Sequence, residues 1–278
     1  MTYRTVLTVT GLDLGDGDVE LAAAVCSESD AHLSVLVVAL AAPPPIGEYA
    51  AMVSDPWLQE RQSDLDRLEQ RTSAVSALLA SREISSDVVS DYPEEAWGDD
   101  VIGRRARYAD IVLLGPEMLS GGALKDKAIE GVLFSSGKPM LLVPRGFTPS
   151  LRPKRVAIAW DSRLESSNAL SSSLKLLRTA EDVHLVLVDP REGEEGHGAE
   201  PGADAATYLA RHGIKVTVDR LPSQGRTVAA TLRQHAIDMA ADLLVMGAYG
   251  HSRLRQRIFG GVTKSMLEEL PLPVLMAR

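Results

Sequence analysis

The sequence predicts an α/β protein made of two tandem doubly wound domains, each with a five-stranded parallel sheet and helices on both faces. Three observations support this fold class. The chain contains an internal repeat, its apolar strands alternate with helical patterns, and each half closes on a strand that follows a proline. Because crossovers between parallel strands are right-handed, few topologies remain, and we predict the strand order 3-2-1-4-5 in each half.

The repeat consists of apolar segments that recur after about 130 to 150 residues. Each segment is short and bounded by polar or turn-forming residues, which is typical of a strand in a buried parallel sheet. The matching pairs are 5–10 with 155–160, 31–38 with 183–188, 109–115 with 241–247, and 139–143 with 273–276.

Helical patterns lie between these strands. Apolar residues at intervals of three and four positions predict an amphipathic helix whose apolar side faces the sheet. In the second half, Leu170, Leu174 and Leu177 follow this pattern, and residues 227–240 are expected to bury Val228, Leu232 and Ile237. In the first half, residues 55–79 predict a long charged helix with the core contacts Leu58, Leu65, Leu68, Val75 and Leu79.

A boundary between the two domains is predicted at residues 145–153. This stretch contains a glycine and two prolines and has no periodicity, which is typical of a linker. The expected domains are therefore residues 1–148 and residues 154–278. A length of 278 residues agrees with two domains of ordinary size.

Composition excludes several classes of protein. A net charge of −9 argues against general binding to nucleic acid or to anionic membranes, and an aromatic content of 4% argues against a base-stacking surface. Cys26 is the only cysteine, so no disulfide can form within the chain. We find no signal-like segment and no apolar run long enough to span a membrane, and we expect a cytoplasmic protein.

Charge is distributed unevenly along the chain. Residues 1–148 carry a net charge of −11, whereas residues 149–278 carry +2. A phosphate-bearing ligand would therefore favour the second half. The same asymmetry is also found on solvated surfaces that bind nothing.

A glycine-rich stretch near the C-terminus separates two apolar segments. Residues 243–246 are typical of a buried strand, and residues 262–270 have the pattern of a helix. Glycine allows the backbone to approach a ligand, and a helix N-terminus offers free N–H groups to an anion. The stretch therefore favours a phosphate site, although it also fits a tight turn that merely joins strand to helix. Its glycines are Gly247, Gly250, Gly260 and Gly261.

This stretch resembles the glycine pattern of nucleotide-binding universal stress proteins. The resemblance rests on Gly247-x-x-Gly250 followed after nine residues by Gly260, and it extends over about thirty residues to the strand at 273–276. It implies the order 3-2-1-4-5 and a bound adenine nucleotide (ATP, ADP or AMP), with Mg²⁺ accompanying a triphosphate. One residue departs from the family: Gly261 stands where nucleotide-binding members usually carry Ser or Thr. A lost hydroxyl bond to phosphate costs about 1.5–3 kcal/mol.

The strand order predicts where such a site lies. In open parallel sheets ligands bind at the carboxyl ends of strands where the strand order reverses, here between the first and fourth strands of the second half. The resemblance implies that Asp161 contacts the adenine or ribose end of the nucleotide. Alternatively, Asp161 caps the helix that follows it. The complete candidate set is Asp161, Ser162, Val188, Met246, Gly247, Gly250, His251, Arg253, Gly260, Gly261, Val262 and Thr263.

The first half departs from this pattern. Its first strand is followed by Gly11-Leu12-Asp13 without the matching acidic residue, and its fourth strand ends in Gly115-Pro116-Glu117. Proline lacks a donor N–H, and a glutamate would repel phosphate. We expect a degenerate copy that no longer binds triphosphate and serves as a structural, pseudo-dimeric partner of the second half.

Other chemistry finds little support. Ser252 nearly fits a nucleophile elbow, but the last glycine is missing and no Asp or His follows it. None of the six histidines has metal-ligand spacing, so we expect no metal site, and His32 and His184 are expected to be structural. No catalytic residues are predicted, although slow nucleotide hydrolysis stays open. Two rivals also stay open: an interaction protein that binds no nucleotide, and an adenylating enzyme. Protein partners and a homodimer are undetermined.

Overall fold

The computed structural model describes residues 3–44, 50–190, 200–248 and 261–278, with residues 50–54 described by their backbone. The chain divides into two compact units. The N-terminal unit comprises residues 4–136, and the C-terminal unit comprises residues 137–278 together with residues 1–3. In the described part of the chain, no helix is both long and apolar enough to cross a lipid bilayer.

The N-terminal unit is a four-stranded parallel sheet with helices between its strands. The sheet has the order β3-β2-β1-β4. Its described elements are β1 (Thr5–Gly11), α1 (Gly17–Ser29), β2 (His32–Val38), α2 (Ala50–Ala80), β3 (Ser86–Asp91), α3 (Gly98–Ala106), β4 (Ile111–Leu114), α4 (Pro116–Leu119), α5 (Ala123–Glu130) and a π-helical turn (Gly131–Ser136).

The C-terminal unit contains the complete predicted order. Its parallel strands are arranged β8-β7-β6-β9-β10, which is 3-2-1-4-5 in the numbering of one domain. Its described elements are β5 (Met140–Leu142), β6 (Arg155–Ala159), α6 (Leu164–Leu177), β7 (Asp182–Val188), α7 (Ala203–Arg211), β8 (Thr217–Leu221), α8 (Val228–Asp238), β9 (Leu243–Gly247), α9 (Gly261–Glu268) and β10 (Val274–Ala277).

The fifth strand of the first half, β5, has a pairing partner that the sequence did not predict. Strand β5 lies in the C-terminal unit, where it pairs antiparallel with β10 through Leu141 opposite Leu275. The N-terminal unit ends at residue 136, and its four strands have the order predicted for the first four strands of a half. Met140, Leu141 and Leu142 are fully buried. The apolar pattern identified a strand, but it contains no information about which neighbour supplies the hydrogen bonds.

The sheets are buried on both faces, as parallel sheets flanked by helices require. In β2 every residue from Leu33 to Val38 is buried, and in β9 the residues Leu243 to Met246 are buried. Successive side chains of a strand point to opposite faces, and here both faces are buried, so these strands favour apolar residues. Polar residues that could bind a ligand are therefore expected at the ends of the strands.

Helix α2 is longer than the sheet that it covers. Its 31 residues span about 46 Å, whereas the six residues of β3 span about 20 Å. Leu68, Val75 and Leu79 are buried as predicted, but Leu58 and Leu65 are 54% and 39% exposed. The prediction was wrong for these two residues because the early turns of the helix extend past the strands.

Helix α8 buries a different face from the one predicted. Leu232 is buried, but Val228 and Ile237 are 39% and 55% exposed. The inward positions are instead occupied by Ala229 and Ala236, which are almost fully buried. Alanine side chains let the helix axis lie close to the sheet, so the larger apolar residues are displaced to the flanks.

Replacement of Leu79 by alanine should destabilise the N-terminal unit by about 2–5 kcal/mol, because a fully buried leucine leaves a cavity. The matched control Leu58→Ala lies on the same helix, is exposed, and should change the stability by no more than about 0.5 kcal/mol. Urea denaturation followed by circular dichroism measures both. Equal losses for the two variants would contradict the burial pattern of α2.

Candidate functional site

A crevice is positioned in the C-terminal unit where the strand order reverses. Strands β6 and β9 are parallel neighbours with Val156 opposite Leu243 and Ile158 opposite Val245. The chain leaves β6 toward β7 on one side, whereas β9 leads to β10 on the other. In doubly wound sheets the helices that follow such a pair of strands diverge, and a crevice is therefore expected at the carboxyl ends of β6 and β9.

Asp161 lies at this edge, two residues beyond β6. Its side chain is 55% exposed, and Oδ1 accepts a hydrogen bond from the Arg163 backbone N–H at 3.1 Å. Helix α6 starts at Leu164, and its N-cap Arg163 has no side-chain capping bond. Asp161 thus shapes the turn that leads into α6 instead of capping the helix itself. Its Oδ2 lies 3.7 Å from Arg163 Nε, and the half-exposed carboxylate can still be reached by a donor from a ligand.

Ser162 has an unusual backbone conformation. Its φ angle is 61°, in the left-handed region that few residues other than glycine adopt. Ser162 is exposed, and the turn carries the chain from β6 across the crevice into α6. Strained residues of this kind often occur at ligand sites, where the surrounding structure holds them in place.

Gly247 ends β9 at the opposite edge and touches the first turn of α6. A Cβ atom at this position would come within 2.6 Å of the Glu165 carbonyl carbon and the Ser166 nitrogen. Both atoms belong to the backbone, so they have no freedom to move aside. Gly247 is therefore required for packing, whether or not a ligand binds. The preceding Met246 is buried, and so is Ala248, whose N–H donates to the Ala277 carbonyl at 2.8 Å.

Helix α9 begins at Gly261. A Cβ atom at Gly261 would meet no heavy atom of the described residues within 4 Å, and its φ angle is one that any residue can adopt. Val262 is half-buried and Thr263 is 5% exposed. The helix is eight residues long, and its first N–H groups have no acceptor within the helix itself.

The end of β7 forms the outer part of this edge. Val188 is half-buried, and Asp189 follows with a φ angle of 46°. The Asp189 carboxylate accepts the Ser223 N–H at 2.9 Å, and these hydrogen bonds from Ser223 lower the pKa of Asp189 below its usual range. This carboxylate is therefore engaged in linking the ends of β7 and β8, next to the apolar side chain of Val188.

Four candidate residues lie outside the described residues: Gly250, His251, Arg253 and Gly260. The other eight are placed. Strand order brings Asp161, Ser162 and Val188 to the same edge of the sheet as Met246 and Gly247, while Gly261, Val262 and Thr263 open α9.

The corresponding place in the N-terminal unit is closed by two carboxylates. Asp18, in the first turn of α1, is 1% exposed and accepts the backbone N–H groups of Glu117 at 3.0 Å and of Met118 at 2.8 Å. In return, a Glu117 carboxylate oxygen accepts the Gly17 N–H at 3.3 Å. A Cβ atom on Gly115 would collide with the Asp18 carboxylate. Each of the two helix N-termini thus binds an acid from the other.

These bonds explain why the first half departs from the glycine pattern. The N–H groups that follow β4 would be the natural donors to a phosphate, and Asp18 already occupies two of them. The sequence showed that Pro116 and Glu117 are unfavourable for phosphate but did not identify Asp18. An acid in a first helical turn is common, and its partners lie about 100 residues away.

Substitution of Asp18 by asparagine should destabilise the N-terminal unit by about 1–3 kcal/mol, because an amide accepts at one atom only and leaves a buried N–H unpaired. Asp13→Asn removes an exposed ion pair with Arg67 and should cost less than about 1 kcal/mol. Urea denaturation of both variants tests this. If Asp18→Asn costs no more than Asp13→Asn, the two carboxylate–helix contacts are not structural.

The loss of stability caused by Asp18→Asn, measured by urea denaturation, should depend on pH. Burial raises the pKa of Asp18 above its ordinary value, against the opposing effect of its N–H donors. The folded protein then holds this proton more tightly than the unfolded chain does. The stabilisation linked to this group is complete below the ordinary pKa and is lost as the pH rises through the raised value. The stability difference between the natural protein and Asp18→Asn should therefore shrink over that interval.

Comparison with known proteins agrees with these features. Residues 153–278 match the model of the Universal stress protein family. Universal stress protein Slr1230 from Synechocystis sp. (strain PCC 6803) is 31% identical over 152 residues, which cover 54% of this chain and 50% of that protein. The chain thus spans about half the length of this curated relative.

Similar folds are found in solved structures. A universal stress protein from Archaeoglobus fulgidus DSM 4304 has a TM-score of 0.60 and 16% identity, and the alignment covers 98% of this chain and 96% of that one. A functionally unknown protein from Pseudomonas aeruginosa PAO1 has a TM-score of 0.55 and 14% identity, with coverage of 99% and 92%. At such identities these similarities concern the fold alone. The similarity to the universal stress protein family model covers residues 153–278.

Proposed function

We propose that the C-terminal unit binds an adenine nucleotide in the crevice between β6 and β9 and that this binding serves a regulatory or protective role in the response to stress. The nucleotide would be ATP, ADP or AMP, with Mg²⁺ accompanying a triphosphate. The family match supports the proposal because it covers the half of the chain that contains the glycine pattern.

The observation that carries the proposal is the difference between the two units at the same place in the fold. In the N-terminal unit, Asp18 and Glu117 occupy the N–H groups at the mouth of the crevice. In the C-terminal unit, the Asp161 side chain is 55% exposed, and a Cβ atom at Gly261 would meet no heavy atom of the described residues within 4 Å. One crevice is closed by its own side chains, whereas the described edges of the other remain available to a ligand.

Each edge has a chemical role in this proposal. The Asp161 carboxylate accepts hydrogen bonds from the ribose or adenine end of the nucleotide. Val188 supplies an apolar surface for the base. The first turn of α9 directs its N–H groups and the positive end of its dipole toward the phosphates. The nucleotide would thereby connect the end of β6 to the start of α9.

Regulation would follow from this connection. A nucleotide that binds both edges favours the conformation in which they are correctly spaced, and it shifts the population toward that conformation by its differential affinity. The segment between Gly247 and Gly261 joins the two edges, so a protein partner that contacts this segment would distinguish the loaded from the empty state.

Nucleotide binding can be tested on freshly purified protein by denaturing it, chromatographing the released small molecules, and titrating the emptied protein with ATP, ADP and AMP by calorimetry. We expect a co-purified nucleotide or binding in the micromolar range. Asp161→Asn should weaken binding about tenfold or more, because a hydrogen bond to a charged group is worth about 1.5–3 kcal/mol. Gly247→Val is unsuitable as a test variant because it would disrupt the contact with α6.

A gain of affinity is expected from Gly261→Ser. Among the described residues nothing obstructs a Cβ atom at this position. A hydroxyl at the start of α9 would restore the donor that the resemblance to nucleotide-binding universal stress proteins implies. The affinity for ATP should rise about ten- to a hundredfold. The matched control Gly261→Ala adds the Cβ atom without the hydroxyl and should leave the affinity close to that of the natural protein. Equal effects of the two variants would show that α9 does not face the phosphates.

The rival function, an interaction protein that binds no nucleotide, is favoured by Gly261 itself. It would be established by the absence of co-purified nucleotide and of any heat of binding up to about millimolar concentration, a range in which adenine nucleotides still bind weak sites. In that case the glycine-rich stretch would serve the architecture of the strand-to-helix connection.

A further inference from the structure

A separate polar cluster lies on the C-terminal unit, formed by His184 of β7, Asp219 of β8 and His235 of α8. His184 Nδ1 lies 2.7 Å from Asp219 Oδ2, and His235 Nε2 lies 2.9 Å from the same oxygen. One nitrogen or oxygen atom from each residue lies within 4.8 Å of the other two. His184 precedes the end of β7 by four residues, or about 13 Å, so the cluster is distinct from the crevice.

We propose that these three side chains bind one divalent transition-metal ion, with zinc as the representative. Zinc binds imidazole nitrogen and carboxylate oxygen, and three protein ligands with an open fourth position are a common arrangement. With bonds of 2.0–2.1 Å, neighbouring ligand atoms of a tetrahedral zinc lie about 3.3 Å apart. Each imidazole nitrogen would need to move away from Asp219 Oδ2 by only about 0.5 Å, and the two nitrogens lie within 4.8 Å of each other.

Asp182 supports the ligand geometry of His184. Its Oδ1 lies 3.1 Å from His184 Nε2, while its Oδ2 pairs with the Arg155 guanidinium at 3.3 Å. A carboxylate that accepts the second ring N–H of a ligating histidine fixes the ring and increases its basicity. His184 thereby directs Nδ1 toward Asp219, the position from which it would bind the metal.

The surroundings suit a cation. The side chains of His184, Asp219 and His235 are 19%, 19% and 22% exposed, so the cluster is shielded but reachable from solvent. The Asp219 carboxylate lies against both imidazoles, whereas Asp182 is already paired with Arg155. The negative charge of Asp219 in a partly buried place favours an incoming divalent ion.

The N-terminal unit has a related cluster that lacks the required ligands. Asp87 of β3 pairs with His32 of β2 at 2.7 Å, but its other oxygen pairs with Arg105 of α3 at 2.7 Å. A guanidinium is always charged, has no lone pair for a metal and neutralises the carboxylate. The same region of the two units therefore holds a fixed cation in one case and a second imidazole in the other. His32 is the matched control for His184.

A bound metal would connect two strands and a helix. His184, Asp219 and His235 belong to consecutive strands and to the helix that follows them. An ion that binds only the folded arrangement stabilises it in proportion to its saturation. Zinc should accordingly raise the melting temperature of the natural protein.

The test uses the full chain, without a polyhistidine tag and freed of nucleotide, titrated with Zn²⁺ by calorimetry and by competition with a chelating dye. We expect one ion per chain with affinity in the micromolar range or better. His235→Ala and Asp219→Ala should lower the affinity at least tenfold, and Asp182→Asn about 10- to 100-fold. His32→Ala should bind zinc as the natural protein does. Mg²⁺, which prefers oxygen ligands, should not compete.

The proposal is overturned if the natural protein shows no saturable zinc binding up to about millimolar concentration, which would leave a hydrogen-bonded cluster only. Binding that persists in both His235→Ala and the similarly sized His235→Gln, or that is lost equally in His32→Ala, would overturn it as well. Circular dichroism verifies that each variant is folded. The visible absorption of Co²⁺ added to the natural protein gives a readout that needs no variant, and a spectrum of free aqueous cobalt would contradict the site.

Discussion

The contact between the glycine that ends the fourth strand and the first turn of the helix after the first strand sets the width of the crevice in each unit. In the C-terminal unit Gly247 meets the backbone of Glu165 and Ser166, and in the N-terminal unit Gly115 meets the Asp18 side chain. Both faces of a parallel sheet are covered by helices, so the helix cannot withdraw without exposing apolar surface. Only a residue without a side chain fits between strand and helix, and the ends of the strands are held at this fixed separation.

Two copies of one architecture have thereby acquired different electrostatics. In the N-terminal unit the Asp18 carboxylate accepts the first N–H groups of α4, and Glu117 accepts an N–H at the start of α1. The partial positive charges of both helix N-termini are thus neutralised by side chains of the protein. In the C-terminal unit the atoms that contact the glycine belong to the backbone of α6. The acidic residue that follows β6, Asp161, is exposed. Helix N-termini attract negative charge in either case. The difference is whether the protein or a ligand supplies that charge.

The sequence predicted the elements well and their long-range partners less well. Apolar runs identified the strands because a buried parallel strand is apolar on both faces, and handedness then gave the order of the C-terminal unit. The pairing of β5 with β10 was not predicted because hydrogen bonds between backbone groups of edge strands do not depend on the pattern of side chains. Asp18 and the cluster of His184, Asp219 and His235 were missed because their partners lie on separate elements. Gly250, His251, Arg253 and Gly260 stay predictions of the sequence alone.

The pairing of β5 with β10 also bears on how the two halves of the chain can be separated. The edge of β10 carries unpaired N–H and C=O groups unless β5 covers it, and Val274, Leu275 and Met276 beside it are fully buried. A polypeptide that started at residue 154 would keep every residue of the family match but one, yet it would present a bare apolar edge. Such edges pair with one another. The segment that matches the family model, residues 153–278, is therefore shorter than the segment expected to stay monomeric, which also includes β5.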